Sequence, residues 1–176
     1  MHPVSYVRLH LKILFDPLID LSSMIEAARL VFSCAEIGIE LVSRGRLDLP
    51  DMLDVPVSRC ELRETTDAQR RLFAHRAPAG DRDVVAYFIR STVPPSSGCA
   101  AHPVGSPGVL LTRQASLWTL AHEIGHVLGL PHVATEGRLM SDGTSSLNGQ
   151  IPQITPLESA IIHGSPFMFR LEKPEN

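Results

Sequence analysis

The sequence predicts a single α/β domain: a twisted mixed β-sheet with helices packed against it, followed by a smaller C-terminal part with one helix. Three observations predict it. The first 46 or so residues run strand, helix, strand, the order of a right-handed parallel crossover. Residues 84–89, Val-Val-Ala-Tyr-Phe-Ile, form one apolar run, as a strand buried on both faces requires. The chain has 176 residues, 44% hydrophobic and 20% charged, which suits one core burying roughly 70% of the unfolded surface.

The elements follow in order. Val7, Leu9, Leu11 and Ile13 alternate with Arg8, His10 and Lys12, a half-buried strand that ends at Asp16-Pro17. Ser23-x-x-Glu26 reads as a capping box opening a helix over 23–35, with Ile25, Ala28, Leu30, Val31 and Cys34 on its apolar face. Ile37, Ile39 and Leu41 alternate again, before a turn at Arg44-Gly45-Arg46. Prolines break 47–63 into loop with a short strand, and Thr66-x-x-Gln69 caps a short helix to His75. After the 83–90 strand, 100–104 and 109–112 read as short strands around Gly105-Ser106-Pro107-Gly108. A helix covers 115–128. Thr155-Pro156-Leu157-Glu158 combines a capping box with proline at the first helical position and opens a last helix.

Composition excludes several functions. A net charge of −3 and 5% aromatic residues argue against a nucleic-acid surface, which needs basic patches and stacking platforms. No apolar run is long enough to span a membrane, and the charged alternation at 7–13 is not a secretory core. The expected location is cytoplasmic, or outside the cell by a signal not at this N-terminus. Cys34, Cys60 and Cys99 are odd in number and widely spaced, so reduced thiols are expected; a single bridge such as Cys60 to Cys99 is the alternative.

The chemistry lies in the 115–128 helix. His122 and His126 stand four apart, on one helix face, where both imidazoles reach one metal ion. Glu123 points about 100° around the helix, near the metal but offset toward its water. Gly129 permits a left-handed turn and Pro131 stops the helix, so His132 can swing back as a third ligand. Three neutral nitrogens leave one tetrahedral position open, which marks catalytic zinc, and zinc lowers the pKa of water there to about 7. A buried helix with core histidines would explain the apolar neighbours, but not three histidines and a glutamate at this spacing.

His122-Glu123-Ile124-Gly125-His126-Val127-Leu128-Gly129-Leu130-Pro131-His132, with Leu139-Met140-Ser141 downstream, resembles the signature and Met-turn of the metzincin zinc metallopeptidases. The resemblance implies an α+β metzincin-like fold with an upper subdomain (1–129) and a lower one (130–176). It implies one Zn²⁺ held by His122, His126 and His132, Glu123 as general base and acid, and Met140 as a floor beneath the metal. It also implies that substrate adds as a strand along an edge segment, here within 98–108 with Ala100, Ala101, His102, Pro103 and Val104 as the candidate strand, and that 144–154 lines a pocket. Val133 and the lack of any Tyr after residue 87 match no one family of the clan.

The activity this implies is a monomeric metalloendopeptidase acting on peptides or proteins, without nucleic-acid or membrane partners. A zinc-binding module for partner recognition and a narrowly specific proteolytic effector are the alternatives. His75, His102 and Asp83 are weighed as a second metal site, although their spacing does not match the known motif. His2, His10 and His163 are expected at the surface. Asp142 is expected either to support a ligand histidine or to serve the turn with Gly143.

Overall fold

The computed structural model describes residues 5–60, 64–142 and 149–171. Its main sheet is built around β1 (Ser5–Ile13), which pairs in parallel with β2 (Ile37–Arg46) on one side and β4 (Val84–Phe88) on the other. β7 (Gly108–Leu111) continues the parallel set beside β4, and β6 (Gly98–Cys99) closes that edge antiparallel to β7. The order is therefore β2-β1-β4-β7-β6. The fully apolar β4 lies inside the sheet and all five of its residues are buried. A second, two-stranded sheet joins β3 (Asp54–Pro56) to β5 (Ser91–Val93).

Two cores result. One face of the sheet, with Leu9, Leu11, Ala86, Val109 and Leu111, packs against α1 (Leu21–Ser33) and α3 (Thr119–Val127). The other, with Val85, Tyr87 and Leu110, packs against α2 (Asp67–Phe73) through Leu72 and Phe73. Alternation along one strand thus feeds two different layers.

Helix starts show where local signals compete. α2 and α4 (Pro156–His163) begin with the expected capping boxes: Thr66 with Gln69, and Thr155 with Glu158, exchange both bonds. α1 does not begin at Ser23. Asp20 is its N-cap and accepts from the Ser23 backbone N–H at 3.0 Å, while Glu26 pairs with Arg29 at 2.7 Å. Starting earlier buries Leu21. α3 starts later than expected, at Thr119, because the Thr119 hydroxyl accepts from the Ser116 N–H at 2.8 Å and holds 116–119 as a turn.

Three further expectations need correction. Residues 100–104 are not a strand; the edge strand is the shorter β6, and Ala100 and Ala101 are buried beyond it. Buried Gln69 reaches the Ala101 carbonyl at 3.4 Å and ties that segment to α2. Cys60 and Cys99 form a disulfide with Cα atoms 5.2 Å apart, leaving only Cys34 free. Wide spacing in sequence concealed this, because β3, β5 and β6 bring the two residues together. His10 is not at the surface either: it is buried in β1, its Nδ1 2.7 Å from Ser43 Oγ and its Nε2 3.1 Å from Asp83 Oδ2.

After α4 the chain returns to the sheet. β8 (Phe169–Arg170) pairs antiparallel with Ser5 and Tyr6, the part of β1 that precedes its pairing with β4. Phe169 stacks on Tyr6, and the Arg82 guanidinium lies 4.4 Å from the Phe169 ring centre. No helix of the described residues is long and apolar enough to cross a membrane.

Candidate metal centre and active site

α3 presents its apolar side to the core through Leu120, Ala121, Ile124 and Val127, which orients the histidine side toward a cleft of about 840 Å³. Gly129 takes φ +106°, the left-handed region that the turn requires. The Leu130 N–H then reaches back to the Gly125 carbonyl at 3.0 Å, and Pro131 ends the helix. His132 is thereby brought onto His122 and His126. Among the described residues these three form the set of His, Cys, Asp and Glu side chains close enough to share a metal.

The ring tautomers follow from the hydrogen bonds. A carbonyl only accepts, so His122 Nδ1–H donates to Leu139 O at 2.7 Å and His126 Nδ1–H donates to Leu130 O at 2.8 Å. In a neutral imidazole this leaves Nε2 as a bare lone pair. Those lone pairs converge: His132 Nε2 lies 3.2 Å from His122 Nε2 and 3.0 Å from His126 Nε2. His132 can donate one proton at most, so the cluster lacks donors for its acceptors. Three nitrogens at 2.0–2.1 Å from a tetrahedral zinc stand about 3.3 Å apart. The donor set fits zinc.

Burial prepares the ligands. It lowers the pKa of His126 to about 4, helped by the neighbouring His122, and lowers that of His122 against the opposing Leu139 bond. Both rings are neutral at pH 7, the form that ligates. The Glu123 carboxyl is pushed up to about 8 by desolvation. Its side chain is not part of the three-nitrogen set and packs beneath β6 instead. A Cβ on Gly98 would stand 2.5 Å from Glu123 Oε1, so the bare backbone of that glycine makes room for the carboxyl group. The sequence places Gly98 at the start of the expected edge segment 98–108, but its contact with Glu123 became visible only once β6 was located.

Met140 is fully buried beneath the helix, and a Cβ on Gly125 would meet its Sδ at 2.6 Å. The Val133 N–H donates to the Met140 carbonyl at 3.0 Å, tying the residue after the third histidine to the turn. Leu139 adds the carbonyl that orients His122. The segment thus packs against α3 at Gly125 and fixes the orientation of the His122 ring.

The other expectations separate clearly. Asp142 Oδ1 stands 3.6 Å from His132 Nδ1, an ion-pair distance rather than a hydrogen bond. His75 is exposed, His102 packs edge-on against Phe167, and Asp83 pairs with His10 and Arg8, so they build no second metal cluster. His163, half-buried, donates through Nε2 to the Ala35 carbonyl at 3.0 Å. His2, Gly143 and residues 144–148 of the expected pocket segment 144–154 lie outside the described residues.

The fold is similar to those of known peptidases. It matches metalloproteinase-II from Bacteroides fragilis with a TM-score of 0.65 and 17% identity, over 91% of this chain and 53% of that one. The chain thus spans about half the length of that protein. It matches an archaemetzincin from Methanopyrus kandleri with a TM-score of 0.57 and 15% identity, over 90% and 94% of the two chains. A zinc-dependent peptidase from Methanocorpusculum labreanum matches at 0.53 and 14%, over 88% and 99%. These likenesses establish the mixed α/β fold expected from the metzincin resemblance. No family model and no curated protein matches the sequence.

Proposed function

We propose that the chain is a zinc-dependent endopeptidase, with His122, His126 and His132 as ligands and Glu123 as the proton-transfer residue. The observation that carries this is the convergence of three Nε2 atoms whose opposite ring nitrogens are engaged elsewhere, at spacings that suit one tetrahedral ion. When bound, zinc supplies a Lewis acid that polarises a carbonyl, acidifies water and favours the ionised form of a nearby carboxyl. The chain's own residues do the rest.

The Leu139 and Leu130 carbonyls hold two imidazoles in the ligating tautomer. Glu123, seated beneath Gly98, takes a proton from the attacking water and delivers it to the leaving amine. Met140 supports the helix from below through the space left at Gly125. Gly98 and Cys99 form a sheet edge in the cleft wall, where an extended peptide can add by backbone pairing. We place the substrate backbone there, with Ala100 to Val104 serving as its continuation.

Metal analysis and a quenched peptide library test the proposal together. The expected result is one zinc per chain and turnover that a chelator abolishes and added zinc restores. Glu123→Gln is expected to keep the zinc and lose roughly 10²–10⁴-fold in kcat. A zinc-loaded chain that cleaves no library peptide would instead be a zinc-dependent recognition module.

A further inference from the structure

We propose that Arg59 forms a carboxylate-binding subsite in the cleft wall, selecting peptides with an acidic side chain or a free C-terminal carboxylate near the scissile bond. This deepens the peptidase reading and rests on it.

Arg59 is the one lysine or arginine among the described residues that line the cleft. It is exposed, and its side chain makes no hydrogen bond or ion pair with any of the described residues. Half of the other described arginines pair with carboxylates, among them Arg46 with Asp16, Arg90 with Asp54 and Arg138 with Glu158. An arginine left unpaired in a cleft that also holds the metal cluster is a donor fork without an acceptor.

Its backbone is held firmly. Two residues before it, the Val57 N–H donates to the Val93 carbonyl at 2.9 Å. Next to it, the Ser58 hydroxyl donates to the Glu64 carbonyl at 2.6 Å. One residue after it, Cys60 adopts φ +58° and is bonded covalently to Cys99 of β6. Cys99 follows Gly98, which rests on Glu123. The guanidinium therefore projects from a segment tied directly to the strand that would receive substrate. A free side chain on a fixed backbone lowers the ordering cost of binding.

The carboxylates already in the cleft do not satisfy Arg59. Glu123 lies buried under Gly98, and Asp142 stands beside His132. The charge that complements Arg59 is left for the substrate. In a half-open cleft such a pair is worth more than in bulk water and weakens with salt.

The test uses zinc-loaded wild type, Arg59→Gln, Arg59→Lys and Arg59→Glu with quenched peptides that differ only by Glu or Gln at one scanned position. A second series differs only by a free or amidated C-terminus, which separates the two sources of carboxylate. The readout is the ratio of kcat/KM within each matched pair. Wild type is expected to favour the acid about ten-fold in one series. Arg59→Gln brings the ratio near one, Arg59→Lys keeps part of it, and Arg59→Glu reverses it in favour of the uncharged partner.

Binding of the same peptides to zinc-loaded Glu123→Gln, read by fluorescence anisotropy, separates the two ideas. Cleavage with equal ratios in wild type and Arg59→Gln overturns the subsite and leaves the peptidase. Acid-selective binding without wild-type cleavage keeps the subsite and overturns the peptidase. Neither binding nor cleavage overturns both.

Discussion

Two buried histidine environments stand side by side in this protein, and their difference separates a structural histidine from a ligand. His10, inside β1, has a partner for each ring nitrogen: the Ser43 hydroxyl and the Asp83 carboxylate. Asp83 in turn accepts from Arg8 at 3.3 Å and from the Gly80 N–H at 2.9 Å. His122 and His126 have one nitrogen on a carbonyl, and the other faces only imidazoles. The first knot is complete without any added group. The second is complete only with a cation. His10 and His122 are both buried and His126 is half-buried; what differs is satisfaction.

The same substitution at the two places gives opposite results, and these are the largest effects expected. His126→Leu removes a ligand from the cleft side of α3 and leaves the core side untouched, so dialysed protein loses its zinc and its proteolysis while the metal-free chain stays folded. His10→Leu leaves the buried Asp83 and Ser43 short of a partner and is expected to cost about 2 kcal/mol, with zinc stoichiometry unchanged in the folded fraction. Circular dichroism melts with metal analysis on both variants check it. If His10→Leu releases zinc, or His126→Leu keeps it, the contrast drawn above is wrong.

The ligand set was legible because its information is local. Three histidines, a glycine and a proline within eleven residues specify a helix face, a reversal and a return. The completed knot was not legible. Its members come from β1, β2 and the residue before β4, brought together only by parallel pairing, so His10 reads on its own as the polar side of a half-buried strand. The Cys60–Cys99 bridge and the short β6 stayed hidden for the same reason. Both depend on where β3 and β5 place 57–60 against the edge of the main sheet, which no periodicity records. Of the helix starts, the two with a reciprocal capping box were read correctly. The start of α1 was missed because the Asp20 carboxylate competes with Ser23 for the same cap.

A smaller effect probes the contact between those two kinds of region. Gly98 belongs to the nonlocal edge, and Glu123 to the locally encoded helix. In Gly98→Ala the new methyl would meet Glu123 Oε1 at 2.5 Å and its Cγ at 2.7 Å, so the carboxyl group must shift. In the role proposed for Glu123, a displacement of a fraction of an ångström to an ångström costs on the order of 10- to 100-fold in rate. The expected signature is a fall in kcat larger than any rise in KM, at full zinc occupancy. Unchanged kcat would mean that the carboxyl group has slack beneath β6.

The smallest effect concerns stability without metal, and it sharpens the metal-site half of the comparison. With its pKa raised to about 8 from an ordinary 4.5, Glu123 keeps a proton in the folded chain that the unfolded chain releases. Stability from this group is fully present below pH 4.5 and is lost as pH rises through 8. His126, lowered to about 4 from 6.5, acts oppositely: its contribution is lost as pH falls from 6.5 toward 4. As pH rises past 6.5 the unfolded histidine loses its proton and its slope fades, leaving the Glu123 slope, at most about 1.4 kcal/mol per pH unit. Urea titrations of chelator-treated wild type and Glu123→Gln at several pH values between 6.5 and 8 read it as the difference between the two. The variant is expected to gain on wild type steadily toward pH 8, since its amide carries no charge to desolvate. Parallel curves would show that water reaches the carboxyl group, and that the space under Gly98 is wetter than the packing there implies.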